Sequence, residues 1–122
     1  GESRYLEAAE RALRAGITDA GRWPSAHATL MRALLDYATP PPRVILRCGI
    51  DADATAWLTM AAERLSVRSR CYLIPNDAKA LPGLLMNRSA QDGAAVTAYF
   101  CSGHQCSAPA TSLEEFSESL GN

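Results

Sequence analysis

Three consecutive prolines at positions 40–42 impose the strongest constraint on how this chain folds. Proline lacks a backbone N–H and its ring clashes with the preceding helical turn, so no helix continues through this stretch. Apolar residues recur every three to four positions before the prolines, whereas short β-branched runs follow them. The sequence therefore predicts a helical pair over residues 1–39 and an α/β unit over residues 43–122, together forming a single α/β domain.

The part before the prolines predicts two helices. The first carries an apolar stripe formed by Tyr5, Leu6, Ala9 and Leu13. Gly16 is placed to end this helix, since glycine is a common residue at a helix terminus. The second begins at Pro24-Ser25 and keeps apolar residues at helical spacing as far as Ala38.

Strand-like and helical patterns alternate after the prolines. The strand-like runs are RVILRC at 43–48, RCYLIP at 70–75 and AAVTAYFC at 94–101. A helical pattern lies between the first two runs, where Asp53 is a candidate cap. Another follows the third run, where Thr111 and Glu114 have the spacing of a capping box.

This alternation predicts the fold class. Strands separated by helices favour a parallel sheet with right-handed crossovers and helices that cover it. We expect an α/β fold with a small three-stranded, mainly parallel sheet in the order 2-1-3, helices on both faces, and the helical pair before it. Residues 76–93 predict only a short helix, which Pro82 and Gly83 interrupt.

Charge and hydropathy exclude two classes of partner. Twelve Lys and Arg balance thirteen Asp and Glu, and they are spread in ones and twos, which gives no basis for binding nucleic acid or an anionic membrane. The apolar runs are far shorter than the roughly 20 residues that cross a bilayer, and no secretory signal is visible. We therefore predict a soluble, cytoplasmic protein.

The beginning of the chain suggests its partners. Its first residue is glycine rather than methionine, and a helical pattern begins almost at once. This predicts a piece cut from a longer polypeptide, or a processed product, whose partner would be the missing part of its own chain. Apolar residues left exposed on the N-terminal helices would alternatively support a homo-oligomer.

The predicted topology locates a candidate site. In open parallel sheets, ligands bind outside the carboxyl ends of the strands. The loops after the three strands would gather polar side chains on one rim, namely Asp51, Asn76, Asp77 and His104, together with Cys101 and Cys106. Aspartates there could orient a polar small molecule. Tight turns require the same residue types, so ordinary connecting loops are the commoner interpretation.

The segment YFCSGHQCSAP, residues 99–109, concentrates reactive side chains. A phosphate-binding loop is not indicated, because GIDADATAW has one glycine and two carboxylates that would repel phosphate. A cysteine-nucleophile loop normally includes an arginine, and this one has none. Zinc requires about four ligands, whereas Cys101, His104 and Cys106 supply three and His27 lies in the second helix. We expect no metal, no cofactor and no complete catalytic set, which leaves enzymatic activity uncertain.

A thiol redox pair is the remaining chemistry. Four residues separate Cys101 from Cys106, against two in the thioredoxin motif, so the spacing is not that of a recognisable oxidoreductase site. A turn at Gly103 can still bring the sulfurs within bonding distance, and the N-terminus of the last helix would stabilise a thiolate. A structural cystine, or two thiols in a reducing cytosol, are the simpler interpretations. Cys48 and Cys71 are predicted to be small buried hydrophobic residues.

The ending DGAAVTAYFCSGHQCSAPATSLEEFSESL resembles the C-terminus of the YyaL-like, spermatogenesis-associated thioredoxin-domain family. In that family a similar strand carries AY-C, four variable residues and a second cysteine, then proline and threonine before an acidic helix. RWPSAHATLMRALLDYATPPPRVILRCG is similar to the family's passage from the last helices of an α-helical barrel into a short strand. Cys101, Cys106 and Pro109 match the family pattern. His104 replaces a residue that is often aromatic, and Cys48 interrupts a usually aliphatic strand.

The resemblance implies the architecture of a larger protein. Members of the family join an N-terminal thioredoxin-like domain to a helical toroid, similar to sugar epimerases and glycoside hydrolases, and end in a region like this chain. The family's thioredoxin motif and the toroid's sugar-binding residues would lie outside these 122 residues. The resemblance therefore implies a non-catalytic accessory C-terminal domain. A thiol redox module and small-molecule binding at the strand rim are the alternatives.

Overall fold

The structure is a computed structural model that describes residues 3–103 and 105–121, except for the side chain of Leu84. The first part contains α1 (Ser3–Arg22), a 3₁₀ turn (Pro24–His27) and α2 (Ala28–Ala38). The second contains β1 (Arg43–Cys48), α3 (Thr55–Arg64), β2 (Arg70–Pro75), a 3₁₀ turn (Gly83–Leu85), β3 (Val96–Ser102), β4 (Gln105–Cys106) and α4 (Leu113–Gly121). The chain divides into two compact units, Gly1–Pro40 and Pro41–Asn122.

Helix α1 passes through Gly16, so the prediction that this glycine ends the helix is wrong. Gly16 lies against α2, where a Cβ atom at this position would collide with the side chain of Leu30. The glycine therefore permits close approach of the two helices. The helix ends at Arg22, and Pro24 begins the 3₁₀ turn. No helix in the described part of the chain is long and apolar enough to span a membrane.

The helical pair leaves most of its apolar side chains in solvent. Within residues 3–40, Ala20 is the only buried residue. Leu6 is 71% exposed and Ile17 is 54% exposed, although both lie on amphipathic helices. Because an amphipathic helix is stabilised mainly by covering its apolar stripe, this unit presents a surface that it does not cover itself.

The four strands form one mixed sheet in the order β2-β1-β3-β4. Strand β1 is parallel to β2, with Arg43 opposite Arg70, and antiparallel to β3, with Arg43 opposite Cys101. The predicted order 2-1-3 is correct for the first three strands. The prediction of a three-stranded, mainly parallel sheet is wrong, because β3 runs the other way and β4 adds an antiparallel neighbour.

The direction of β3 follows from the connection that precedes it. A parallel crossover must carry the chain back along the sheet, and usually does so through a helix. Residues 76–95 form only one 3₁₀ turn, because Pro82 and Gly83, which has a φ of +53°, interrupt the helical pattern. The chain thus enters β3 at the end of the sheet where it left β2.

Helices α3 and α4 pack on the same face of the sheet, so the prediction of helices on both faces is wrong. Val44 and Leu46 of β1 belong to the core under these helices and have no exposed surface. Trp57 of α3 contacts Phe116 of α4 in this core, with ring centroids 5.3 Å apart. This aromatic pair joins the two helices over β1 and β3.

The opposite face is covered by the irregular segment of residues 76–95. Ile45 and Ile74 belong to the buried cluster on this face, and Leu81 and Leu85 pack against it. A loop with one 3₁₀ turn therefore occupies the position in which a crossover helix was predicted.

The N-terminus of α4 is capped one residue later than predicted. Ser112 Oγ accepts a hydrogen bond from the Glu115 N–H at 3.2 Å, and Glu115 Oε2 accepts one from the Thr111 N–H at 2.7 Å. The capping box therefore consists of Ser112 and Glu115 rather than Thr111 and Glu114. At α3, Asp53 Oδ1 accepts the N–H of the first helical residue at 2.8 Å.

Glu115 makes the stability of this helix dependent on pH. Hydrogen bonds from the backbone and hydroxyl of Thr111 hold the pKa of the Glu115 carboxyl below its ordinary value. Such a carboxyl stabilises the fold above its unfolded pKa of about 4.3 and loses that contribution as the pH falls through the folded pKa. We expect Glu115→Ala to lower the urea midpoint clearly at about pH 7 and much less at about pH 3.

Glu114→Ala is the matched control, because Glu114 occupies the same helical turn outside the capping box. It removes the same interaction with the helix dipole. An equal loss for the two variants at both pH values would contradict the capping role of Glu115.

Candidate functional site

The antiparallel direction of β3 separates loops that were predicted to share one rim. Cys48, at the end of β1, lies opposite Val96 at the beginning of β3. Cys101, near the end of β3, lies opposite Arg43 at the other end of β1. The two aspartate-bearing loops therefore leave the sheet at one end, and the cysteine-bearing loop leaves it at the opposite end. The prediction that the three loops share one rim is therefore wrong.

The first end of the sheet carries Asp51, Asn76 and Asp77. Both aspartates are exposed and Asn76 is half-buried. The Asn76 N–H donates to the Cys48 carbonyl at 2.8 Å, and its Oδ1 atom is buried without a partner among the described residues. The small-molecule hypothesis is confined to these three residues at this end. His104, the fourth predicted rim residue, lies outside the described residues.

At the opposite end, Cys101 and Cys106 are directly opposite in the β3–β4 ladder and are joined by a disulfide bond. Their Cα atoms are 3.9 Å apart. Cys101 is 2% exposed, while Cys106 is half-buried and packs against the cluster that contains Ile45 and Tyr99. The bond occupies both sulfurs, so neither is a thiolate ligand in this state. Elsewhere in residues 3–103 and 105–121, no three His, Cys, Asp or Glu side chains are grouped to hold a metal ion.

The turn between β3 and β4 is fixed by its backbone and by an arginine. Gly103 has a φ of +58°, in the left-handed region that glycine adopts without a Cβ clash. Arg43 Nη2 donates a hydrogen bond to the Gly103 carbonyl at 2.6 Å. The cysteine-bearing hairpin is thereby attached to the beginning of β1 as well as to β3.

The chain continues along β3 beyond β4. The Ser107 N–H donates to the Phe100 carbonyl at 2.7 Å, and Ser107 Oγ accepts the Phe100 N–H at 3.1 Å. Ala98 and Ala110 exchange backbone hydrogen bonds of 2.8 and 2.9 Å. An open groove of about 700 Å³ lies beside this edge and α4, and includes Glu118. Its described lining holds carboxylates and hydroxyls but no arginine or lysine, which disfavours an anionic ligand.

The two remaining cysteines are free thiols in different environments. Cys48 is buried, as predicted, and burial raises the pKa of its thiol. Cys71 is exposed, so the prediction that it is buried is wrong. Desolvation by neighbouring atoms, with a smaller effect from Cys48, raises the pKa of the Cys71 thiol as well. A raised pKa disfavours the thiolate, which is the nucleophilic form of cysteine.

Arg47 was not among the predicted site residues, and it is only 5% exposed on β1. Its Nη2 atom donates to the carbonyls of Pro75 and Asn76 at 3.0 and 2.8 Å, and its Nη1 atom to that of Arg88 at 3.4 Å. The guanidinium therefore attaches the segment after β2 to the sheet and positions the backbone of Asn76. A charged residue inside an otherwise β-branched run was the available signal, since a buried charge needs partners.

Two further polar side chains of β3 attach the same segment. The Tyr99 hydroxyl donates to the Ser89 carbonyl at 2.7 Å. The buried Thr97 Oγ1 accepts the Gln91 N–H at 2.9 Å. The irregular segment is thus held by hydrogen bonds from the sheet as well as by its apolar contacts.

The chain matches no family model, no curated protein and no solved structure with which it was compared. Its function is therefore inferred from the geometry of the site and the chemistry of its residues.

Removing Arg47 should release the segment that it holds. We expect Arg47→Ala to lower the free energy of unfolding by about 3 kcal/mol, because three backbone carbonyls lose their donor in a buried site. Hydrogen exchange should accelerate across residues 76–91 more than in β1. Arg64→Ala is the control, since Arg64 is exposed and donates one hydrogen bond to the Ser117 carbonyl. Uniform acceleration throughout the unit would contradict the local attachment.

Proposed function

We propose that this chain is a non-catalytic accessory domain at the C-terminal end of a larger thioredoxin-domain protein that contains a helical toroid. In this proposal α1 and α2 complete the helical domain formed by upstream residues of the same polypeptide, and the α/β unit is carried beside it. The observation that supports the proposal is the apolar surface that the helical pair leaves uncovered.

That surface includes a groove between the two helices. The groove has a volume of about 520 Å³, and its lining includes the apolar side chains of Leu13, Ile17, Met31 and Leu34. Two helices with apolar stripes reach a stable arrangement when a further layer covers those stripes. Apolar side chains from another helix are the natural occupant, since helix packing places ridges of side chains into such grooves.

The chemistry of the α/β unit is compatible with an accessory role. Asp51 and Asp77 lie at one end of the sheet and the Cys101–Cys106 disulfide lies at the other, so these predicted site residues do not form one catalytic set. Cys101 and Cys106 fasten the hairpin to β3, and Arg47 fastens the segment on the other face. These contacts stabilise a small sheet rather than build a reaction centre. The resemblance of the last strand and helix to the YyaL-like family motivates the choice of the larger protein.

The proposal predicts specific binding to the upstream part of the same polypeptide. Ile17→Lys and Met31→Lys place charges in the apolar groove and should weaken that binding at least tenfold, corresponding to about 1.4 kcal/mol or more. Ile50→Lys is the control, because Ile50 is 96% exposed in the other unit. Binding can be measured by calorimetry between the separately expressed parts.

Two results would contradict this proposal. One is a full-length reading frame that encodes no upstream helical domain. The other is binding to the upstream part that survives Ile17→Lys and Met31→Lys together.

The disulfide favours thiol redox chemistry as a second candidate function. In a reversible pair, glutathione disulfide would oxidise the thiols of Cys101 and Cys106 to the intramolecular disulfide, with release of two glutathione molecules. Reduction by two glutathione molecules would reverse the step. The half-burial of Cys106 would make its sulfur the one that an incoming thiolate attacks, since Cys101 is covered.

Alkylation followed by mass spectrometry tests the redox function. Samples equilibrated across a series of glutathione redox ratios should show Cys101 and Cys106 changing together from alkylated to protected. Cys71, an exposed free thiol, is the internal standard for alkylation. A pair that stays oxidised, or one that never oxidises, over the cytosolic range of about −220 to −320 mV would contradict a redox cycle.

A further inference from the structure

The outer edge of β2 is an uncovered sheet edge in the described chain. Strand β2 pairs only with β1, and the side chains of Tyr72 and Leu73 are 41% and 53% exposed. An exposed apolar edge strand presents a row of unpaired backbone groups that another strand can use. This edge belongs to the α/β unit and is separate from the groove of the helical pair.

The backbone bonds of β2 define which residues face outward. The Arg70 N–H donates to the Pro42 carbonyl and the Asn76 N–H donates to the Cys48 carbonyl, so the even-numbered residues point toward β1. Cys71 and Leu73 therefore direct their N–H and C=O groups away from the sheet. Pro75 is the next outward residue and has no N–H, so a ladder on this edge ends there.

The outward N–H and C=O groups of Cys71 and Leu73 can pair with the same groups of a second copy. In an antiparallel pair centred on Tyr72, Cys71 of one copy lies opposite Leu73 of the other, and both residues exchange backbone hydrogen bonds. The two Tyr72 residues then form the central non-hydrogen-bonded pair on the twofold axis. A twofold arrangement uses the same patch on both copies, as isologous dimers do.

The charges along the strand favour the antiparallel direction. Two arginines, Arg68 and Arg70, lie at its beginning. In the antiparallel pair centred on Tyr72, Arg70 lies opposite Ile74 and Arg68 opposite Asn76, so the arginines of the two copies are kept apart. Parallel pairing would place like charges side by side, which destabilises cross-strand neighbours.

We propose that β2 pairs antiparallel with β2 of a second copy, so that one sheet continues through a homodimer. The inference is independent of the proposed accessory function, because that function concerns the helical pair. Since the paired edge is short, the dimer should be weak and depend on concentration. The mass measured by sedimentation should approach twice the 13.1 kDa of one chain as concentration rises.

Leu73→Pro is the sharpest test of the ladder. It removes an outward N–H and leaves the inward bonds of β2 to β1 in place. Leu73→Lys provides a second disruption in case the proline impairs folding, since lysine on an edge opposes strand addition. Both variants should remain at the mass of a single chain. Met31→Lys is the control in the helical pair and should dimerise normally.

Cross-linking tests the register directly. Residues in the central non-hydrogen-bonded pair have Cα atoms about 4.5 Å apart, a distance that a disulfide spans. Tyr72→Cys in a Cys71→Ser background should therefore form covalent dimers through residue 72 under mild oxidation. Ile50→Cys in the same background should not, although its side chain is exposed.

Two results would overturn the proposed dimer. One is a constant single-chain mass across the concentration series together with no cross-link at residue 72. The other is a dimer that persists in both Leu73 variants and disappears in Met31→Lys, which would assign association to the helical pair. Absence of binding between the unsubstituted chain and the upstream part, with this dimer intact, would count against the accessory function alone.

Discussion

The central strand β1 is the constraint on which the α/β unit depends. It is hydrogen-bonded to β2 on one side and to β3 on the other, and residues on both of its faces are buried. A strand buried on both faces needs a covering layer on each of them. The helices α3 and α4 cover Val44 and Leu46, and the segment of residues 76–95 covers Ile45.

The second covering layer, the segment of residues 76–95, needs hydrogen-bond donors from the sheet, and Arg47 provides them. A loop without a helix contains backbone carbonyls that no helical N–H satisfies, and burial makes such groups costly. Arg47 supplies donors to three of these carbonyls from within the sheet. Thr97 and Tyr99 supply one hydrogen bond each. The polar side chains of this face therefore allow an irregular segment to take the place of a crossover helix.

The mixed topology of the sheet determines where the polar and reactive side chains of its loops lie. Asp51, Asn76 and Asp77 lie at one end of the sheet and the Cys101–Cys106 disulfide lies at the other, so the predicted site residues are divided between the two ends. Large exposed apolar side chains lie on the helical pair, on β2 and in loops of the α/β unit, where Ile50 is 96% exposed. Apolar groups remain exposed in both units, and uncovered apolar surface of this kind marks candidate interaction sites.

The amino-acid sequence by itself determined the local elements. The prolines at 40–42 separate the helical pair from the sheet unit, and β-branched runs bounded by glycine or proline define β1 and β2 with the predicted ends. Periodicity and propensity act over a few residues, so these features can be derived from short windows. The contact between Cys101 and Cys106 could also be predicted from the sequence, because a turn at Gly103 involves only neighbouring residues.

Only the tertiary structure decided the direction of β3, the face on which α4 packs and the roles of Gly16 and Arg47. Each of these depends on groups distant in sequence: Gly16 on Leu30 of the next helix, and Arg47 on carbonyls 28 to 41 positions away. Strand alternation alone favours a parallel neighbour, and that preference fails when the connecting segment cannot form the returning helix. The position of the candidate site followed from that single reversal, for which the interrupted helical pattern at Pro82 and Gly83 was a local signal.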